Sequence, residues 1–420
     1  MEFADIDIIG VGRTYVALFL RKGWTAPKMV KLFSESDLTD TILNGLRMQQ
    51  ELARRQNVRL IYDNKTFGKQ FWQPLISKLD GVRNIYFSPS GMLYQLGVEY
   101  LYCDDDHRIG ELYNVYRLSS TKSLAQRKES KPIKNATIYG GLEYDMNLAQ
   151  LKEQHERMSD LDAYLAMNDE FAEDDLGSDE IYFSDEIRAI DSLSTRGSVN
   201  YLSGTLHEAE NIAEQLMMND VETNIFTGQE GVEESFIALN GREQGLIHIA
   251  THGFYISETD VKNRKKELAF VSSGDETDTD NSLNFSGLLL SGANYTLRGN
   301  RVPKDLEDGI LTAREIAQVD LSGAELVVLS ACQTGLGEIK EDGVFGIQRG
   351  FKKAGAKSLL MSLWSVSDKA TDLMMTSFYA NLMEGMGKQQ AFFEAQQTVR
   401  KNGFDDPFFW AAFILLDGLE

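Results

Sequence analysis

Three apolar runs constrain this chain more than any other feature. Leu246–Thr251, Glu325–Leu329 and Lys357–Trp364 have strand length and are dominated by residues that belong in a core. Helical spacing fills the gaps between and after them: Val344–Ala354, stopped by Gly355, then Asp368–Met383 and Lys388–Arg400. Strands alternating with helices predict an α/β fold built on a mostly parallel sheet flanked by helices. Such a sheet does its chemistry just beyond the carboxyl ends of its strands.

Other segments fit the same plan. Tyr15–Leu20, Val58–Tyr62 and Asn84–Ser88 read as strands, with Thr39–Gln56 and Thr66–Leu79 as helices. Further on, Ala136–Tyr139, Thr223–Phe226 and Gly287–Leu290 read as strands, and Leu206–Met218 and Val232–Leu239 as helices. Thr312 is an N-cap for the helix around Ala313–Gln318. The polar stretch Lys122–Lys134 reads as a linker. It divides residues 1–130, an N-terminal α/β region, from residues 131–420.

Two polar segments interrupt the pattern. Asp160–Asp191 holds twelve acidic residues against one basic residue, Arg188, and reads as a solvated acidic insertion around 158–195. A segment that docks on a partner is the sharper alternative. Asp260–Asn284 reads as a loop.

Charge and cysteine usage narrow the function. A net charge of −22 over 420 residues repels phosphate backbones, so no direct nucleic-acid partner is expected. No apolar run approaches a membrane span and no export signal opens the chain, so a cytoplasmic protein is expected. The two cysteines, Cys103 and Cys332, form neither a disulfide framework nor a metal-ligand spacing. No metal and no cofactor are called for, and a reducing compartment leaves a thiol free to act as a nucleophile.

Two strand ends carry the candidate chemistry. Leu246–Thr251 is followed by His252-Gly253, and Glu325–Leu329 by Ser330-Ala331-Cys332-Gln333-Thr334-Gly335. A free thiol has a pKa of about 8.5, so a nearby imidazole is needed to promote the thiolate and to protonate the leaving amine. The N–H groups of Gly253 and Cys332 are candidate oxyanion donors. Each residue also has a plainer reading, because cysteines and histidines at strand ends are commonly packed core. His248 and His252 have the spacing of a helical metal pair. However, Ile249 stands where a zinc protease carries Glu, and the run reads as strand.

Longer blocks carry a family resemblance. They are Asp308-Gly-Ile-Leu-Thr-Ala-Arg-Glu-Ile, Glu325 through Gly337, Gly343-Val-Phe-Gly-Ile-Gln-Arg-Gly-Phe, Ala354-Gly-Ala-Lys-Ser, Ser362-Leu-Trp-Ser-Val-Ser-Asp and Asp406-Pro-Phe-Phe-Trp-Ala-Ala-Phe-Ile-Leu. Upstream come Ser88-Pro-Ser-Gly-Met-Leu, Tyr139-Gly-Gly-Leu-Glu-Tyr-Asp and Ala250-Thr-His-Gly253. In this order they resemble the CHAT family of caspase-like cysteine peptidases, often joined to TPR repeats. The resemblance implies a caspase-hemoglobinase-like fold preceded by a smaller, protease-like α/β region. It also implies a peptidase with His252 and Cys332 as its pair. The caspase signature is only loosely echoed by Ser330–Gly335, so caspase specificity is not implied. No TPR period is present, which fits a compact member or the C-terminal part of a longer protein.

The expected function is that of a cysteine endopeptidase acting on protein or peptide substrates, regulated by a partner protein, a TPR region or loop ordering. A non-catalytic scaffold that binds partners is the alternative, and another thiol hydrolase or acyl transferase is a third. Asp368 is a candidate carboxylate in the pocket for a basic residue, against a helix-capping role. Trp364 is a candidate pocket wall, against plain core packing. Glu338, Glu341 and Asp342 are candidates to line a pocket for a basic residue, against the plainer reading of a solvated loop, and Cys103 reads as structural.

Overall fold

Eight strands meet in a single sheet. The computed structural model describes residues 1–10, 12–38, 51–125, 130–160, 197–256, 281–331, 338–340, 343–364 and 366–419. The residues expected to form the acidic insertion, apart from its first few, lie outside the described residues. So do most of the Asp260–Asn284 loop, the Thr39–Gln56 helix up to residue 50, and Cys332.

The strands are β1 (Glu2–Ile8), β2 (Gly12–Phe19), β3 (Lys28–Ser34), β4 (Asn84–Phe87), β5 (Asn114–Arg117), β6 (Asn135–Leu142), β7 (Glu222–Gly228) and β8 (Leu246–Thr251). They continue with β9 (Gly253–Tyr255), β10 (Ser286–Leu289), β11 (Ile310–Thr312), β12 (Leu326–Ala331), β13 (Glu338–Lys340), β14 (Gly343–Phe345), β15 (Ser358–Ser362) and β16 (Phe413–Leu416). The longer helices are α1 (Glu51–Tyr62), α2 (Lys65–Ile76), α3 (Leu148–Met158), α4 (Ser203–Met217), α5 (Ile347–Ala354), α6 (Asp368–Met383) and α7 (Lys388–Lys401).

The sheet order is β4-β5-β16-β15-β12-β8-β6-β7. Every neighbouring pair is parallel except β15 and β16. The sheet therefore consists of two parallel blocks of opposite direction, joined along that seam. Strands β15, β12, β8, β6 and β7 all end at one edge, which places the residues after them together. Strands from both sides of the Lys122–Lys134 stretch share this sheet, β4 and β5 from before it and the other six from after it.

Burial explains why the middle strands lack alternation. All six residues of β8 are buried, and Leu326, Val327, Val328 and Leu329 of β12 have no exposed surface. Each Leu, Ile or Val side chain among them contributes roughly 1.5–3 kcal/mol when fully buried. Helices cover the sheet, with α4 packed on β6 and against α6, which packs in turn on α7. Gly140 in β6 permits the close approach of α4, since a Cβ there would lie 2.3 Å from the Thr205 carbonyl oxygen. Gly355, at φ 104°, ends α5 in the left-handed region that glycine tolerates. Thr312 caps its short helix as expected, accepting from the N–H of Glu315.

Val58–Tyr62 is not a strand but the last part of α1. Val58, Ile61 and Tyr62 are buried while Leu60 is exposed, which is helical spacing. A five-residue run with four apolar members is too short to separate the two periods, and the buried stripe decides for helix. Strand β5 had no counterpart in the expected elements. Its Arg117 is buried and holds Glu99 through two hydrogen bonds, Nε to Oε1 at 2.9 Å and Nη2 to Oε2 at 2.8 Å. Before β4, strands β1–β3 form a separate antiparallel sheet, tied to the main sheet by the Phe3 N–H donating to the Ser88 carbonyl at 2.9 Å.

Candidate active site

The register of β8 against β12 runs from Leu246 opposite Leu326 to Thr251 opposite Ala331. Because the strands are parallel neighbours, both chains leave the sheet at one level. The next residue after Thr251 is His252, and the next after Ala331 is Cys332, which lies outside the described residues. Strand β15 sits on the other side of β12 and leads to Leu363 and Trp364 at the same edge.

His252 is 4% exposed and held on two sides. Its Nε2 lies 2.8 Å from the carbonyl oxygen of Asn200. A carbonyl only accepts, so Nε2 must carry the proton and Nδ1 keeps its lone pair. Among the described residues Nδ1 has no hydrogen-bond partner. The Tyr144 ring packs on the imidazole with centroids 5.1 Å apart. The Tyr144 hydroxyl is 2.8 Å from Thr251 Oγ1, which donates to the Leu289 carbonyl. Burial lowers the His252 pKa from its ordinary value, partly offset by the Asn200 carbonyl. The imidazole is thus neutral near pH 7, the state a general base requires.

Gly253 opens β9, which pairs antiparallel with β10. The Leu289 N–H donates to the His252 carbonyl, and the Ile256 N–H to the Phe285 carbonyl. Antiparallel ladders bond alternate residues, so the Gly253 N–H turns away from β10.

The other histidine of the run is occupied elsewhere. His248 has no exposed surface, with Nδ1 3.0 Å from the Tyr379 hydroxyl. Its Nε2 faces Glu208 Oε1 at 3.3 Å. His248 and His252 therefore answer to separate partners and form no pair. Among the described residues, no group of three or more His, Cys, Asp or Glu side chains is arranged to hold a metal ion.

Asp368 begins α6, and the capping position is Ser367. The Asp368 carboxylate lies against the first turn of α4, where a Cβ on Gly204 would sit 2.7 Å from Oδ2. Desolvation, and then the Glu208 carboxylate, raise its pKa above the usual carboxylate value. Trp364 is 3% exposed, donates from Nε1 to the Phe408 carbonyl at 2.9 Å and packs on Tyr62 at 5.9 Å. Its surroundings are those of a core residue. Glu338 begins β13, which pairs with β14, while Glu341 and Asp342 lie outside the described residues. Cys103 is buried, with its thiol pushed up to about 11 by desolvation and Asp104.

Sequence reasoning did not single out Asn200 or Tyr144 as site residues. Asn200 acts through its backbone, which leaves no mark on residue type. Tyr144 lies within the Tyr139–Asp145 block quoted above, and that block was the available signal.

The CHAT domain family matches residues 65–418, and the chain belongs to that family. Tetratricopeptide repeat protein 28 of Homo sapiens is 34% identical over 112 residues, 26% of this chain and 4% of that protein. The Mus musculus protein of the same name matches equally, so the chain matches only a small part of these curated relatives. Among solved structures, the Arg specific cysteine proteinase gingipain R aligns with a TM-score of 0.44 and 9% identity, over 91% of this chain and 74% of that one. Separase from the Saccharomyces cerevisiae separase–securin complex aligns with a TM-score of 0.38 and 10% identity, over 95% of this chain and 21% of that one.

Proposed function

We propose that the chain is a cysteine endopeptidase in which Cys332 and His252 act as one unit. The observation that carries this reading is the pairing of Thr251 with Ala331, the residues immediately before the two groups. His252 Nδ1 takes the proton from Cys332 Sγ, and the sulfur attacks the peptide carbonyl carbon. The N–H groups of Gly253 and Cys332 receive the oxyanion. As the C–N bond breaks, His252 returns the proton to the leaving amine. Water then hydrolyses the thioester, with His252 again accepting a proton.

Protein or peptide substrates in the cytoplasm, and control by a partner such as a TPR region, belong to the same reading. The TPR name of the curated relatives supports that control. Among the described residues, no helix is long and apolar enough to cross a membrane. The test is a peptide-library digest with wild type, Cys332→Ala and His252→Ala. Cleavage by wild type that both variants lose is expected. Equal cleavage by either variant would remove the pair. Absence of cleavage by wild type, with or without a TPR partner, would favour the scaffold reading.

A further inference from the structure

The segment that presents the Asn200 carbonyl to His252 has no regular structure from residue 197 to residue 202. A carbonyl on such a stretch is placed only as well as its neighbours are fixed. Asn294, in the short helix Ala293–Leu297, supplies that fixing. Its Oδ1 accepts from the Val199 N–H at 2.8 Å, and its Nδ2 donates to the Val199 carbonyl at 2.9 Å. Asn294 has no exposed surface, and Val199 is 4% exposed. One amide thereby satisfies both backbone groups of the residue directly before Asn200, as a paired strand would.

The same residue reaches the other wall of the histidine slot. The Asn294 backbone N–H donates to the Tyr144 carbonyl at 3.1 Å, and the Tyr144 ring packs on His252. A primary amide is one of the few side chains offering a donor and an acceptor side by side. A leucine of similar size would leave the Val199 N–H and carbonyl buried without these partners.

We infer that Asn294 is a positioning residue for His252. Its side-chain amide fixes Val199 and so holds the Asn200 carbonyl against Nε2–H, which leaves the lone pair on Nδ1. This rests on the dyad reading for its catalytic meaning, but the tautomer itself is measurable without any activity.

The experiment uses the full chain with its five histidines labelled with ¹⁵N, the His252 signals being identified by their loss in His252→Gln. Imidazole nitrogen shifts distinguish the two tautomers. Wild type is expected to show Nε2–H alone near neutral pH. Asn294→Ala is expected to show the mixed tautomers of a free imidazole. Its kcat should fall on the order of 100-fold, the cost of misplacing a catalytic group by about 1 Å, with KM near wild type. Should Asn294→Ala fail to fold, the near-isosteric Asn294→Asp decides. It keeps the acceptor for the Val199 N–H but turns a carboxylate oxygen toward the Val199 carbonyl. Wild-type tautomer and wild-type kcat in a folded variant overturn the inference. A wild type that cleaves nothing removes the peptidase reading, while the tautomer result still decides the role of Asn294.

Discussion

The carbonyl oxygen of Asn200 lies 2.8 Å from Nε2 of His252 and decides which ring nitrogen bears the proton. The two residues are separated by 52 positions, so the fold rather than local sequence sets the chemistry of the imidazole. Burial adds to this by favouring the neutral ring.

The first prediction follows from that neutral state. In the folded chain the His252 pKa is lowered from 6.5, so between the folded and unfolded values the unfolded chain binds the extra proton. The stability from burying neutral His252 is complete above 6.5 and is lost as pH falls through the folded value. Urea unfolding at about pH 7.5 and about pH 5.5 checks this. Wild type is expected to lose more stability on acidification than His252→Gln. Equal losses would count against a buried neutral ring.

The second concerns specificity. Asp368 is expected to favour Arg or Lys before the scissile bond, with Arg preferred because a guanidinium pairs with a carboxylate through two hydrogen bonds. Strand β15 is the parallel neighbour of β12, and α6 begins shortly after it, so Asp368 and Cys332 follow neighbouring strand ends. Cleavage-site profiling of wild type and Asp368→Ala measures the effect. Loss of the basic preference in the variant, by about 3 kcal/mol if the pocket is dry, is expected. Wild-type cleavage mainly after apolar or acidic residues would leave Asp368 as a helix-terminus charge.

The third concerns stability. Arg117 is 2% exposed and Glu99 is 8% exposed, and the two are joined by paired hydrogen bonds. Glu99→Ala leaves a buried guanidinium without its counter-charge and is expected to destabilise the chain by about 3–5 kcal/mol. Chemical denaturation gives the value, and a loss under about 1 kcal/mol would mean that Arg117 finds water or another partner.

Much of the frame was legible because the burial pattern is written plainly. Leu246–Thr251 is apolar apart from His248 and Thr251, Leu326–Leu329 is apolar throughout, and α6 begins at Asp368 as its spacing indicates. Val58–Tyr62 misled because four apolar residues around Arg59 fit either period, and only the exposure of Leu60 shows the helix. Strand β5 was hidden by its content, since Asn114 and Arg117 are poor signals for a sheet until Glu99 is seen beside Arg117. At the site, His252 stood out by its place at a strand end. Asn200 acts through a backbone carbonyl and Asn294 through contacts 95 residues away, and neither leaves a sequence motif.

The most direct test of the His252–Cys332 pair is the alkylation rate of each cysteine by iodoacetamide near pH 7, read by peptide mapping. Cys103 is the internal reference, being buried with its thiol raised to about 11. Cys332 is expected to react faster than both Cys103 and a free thiol peptide, and His252→Ala to remove the advantage. A Cys332 that reacts no faster than the free peptide, or at the same rate with and without His252, would contradict the pairing.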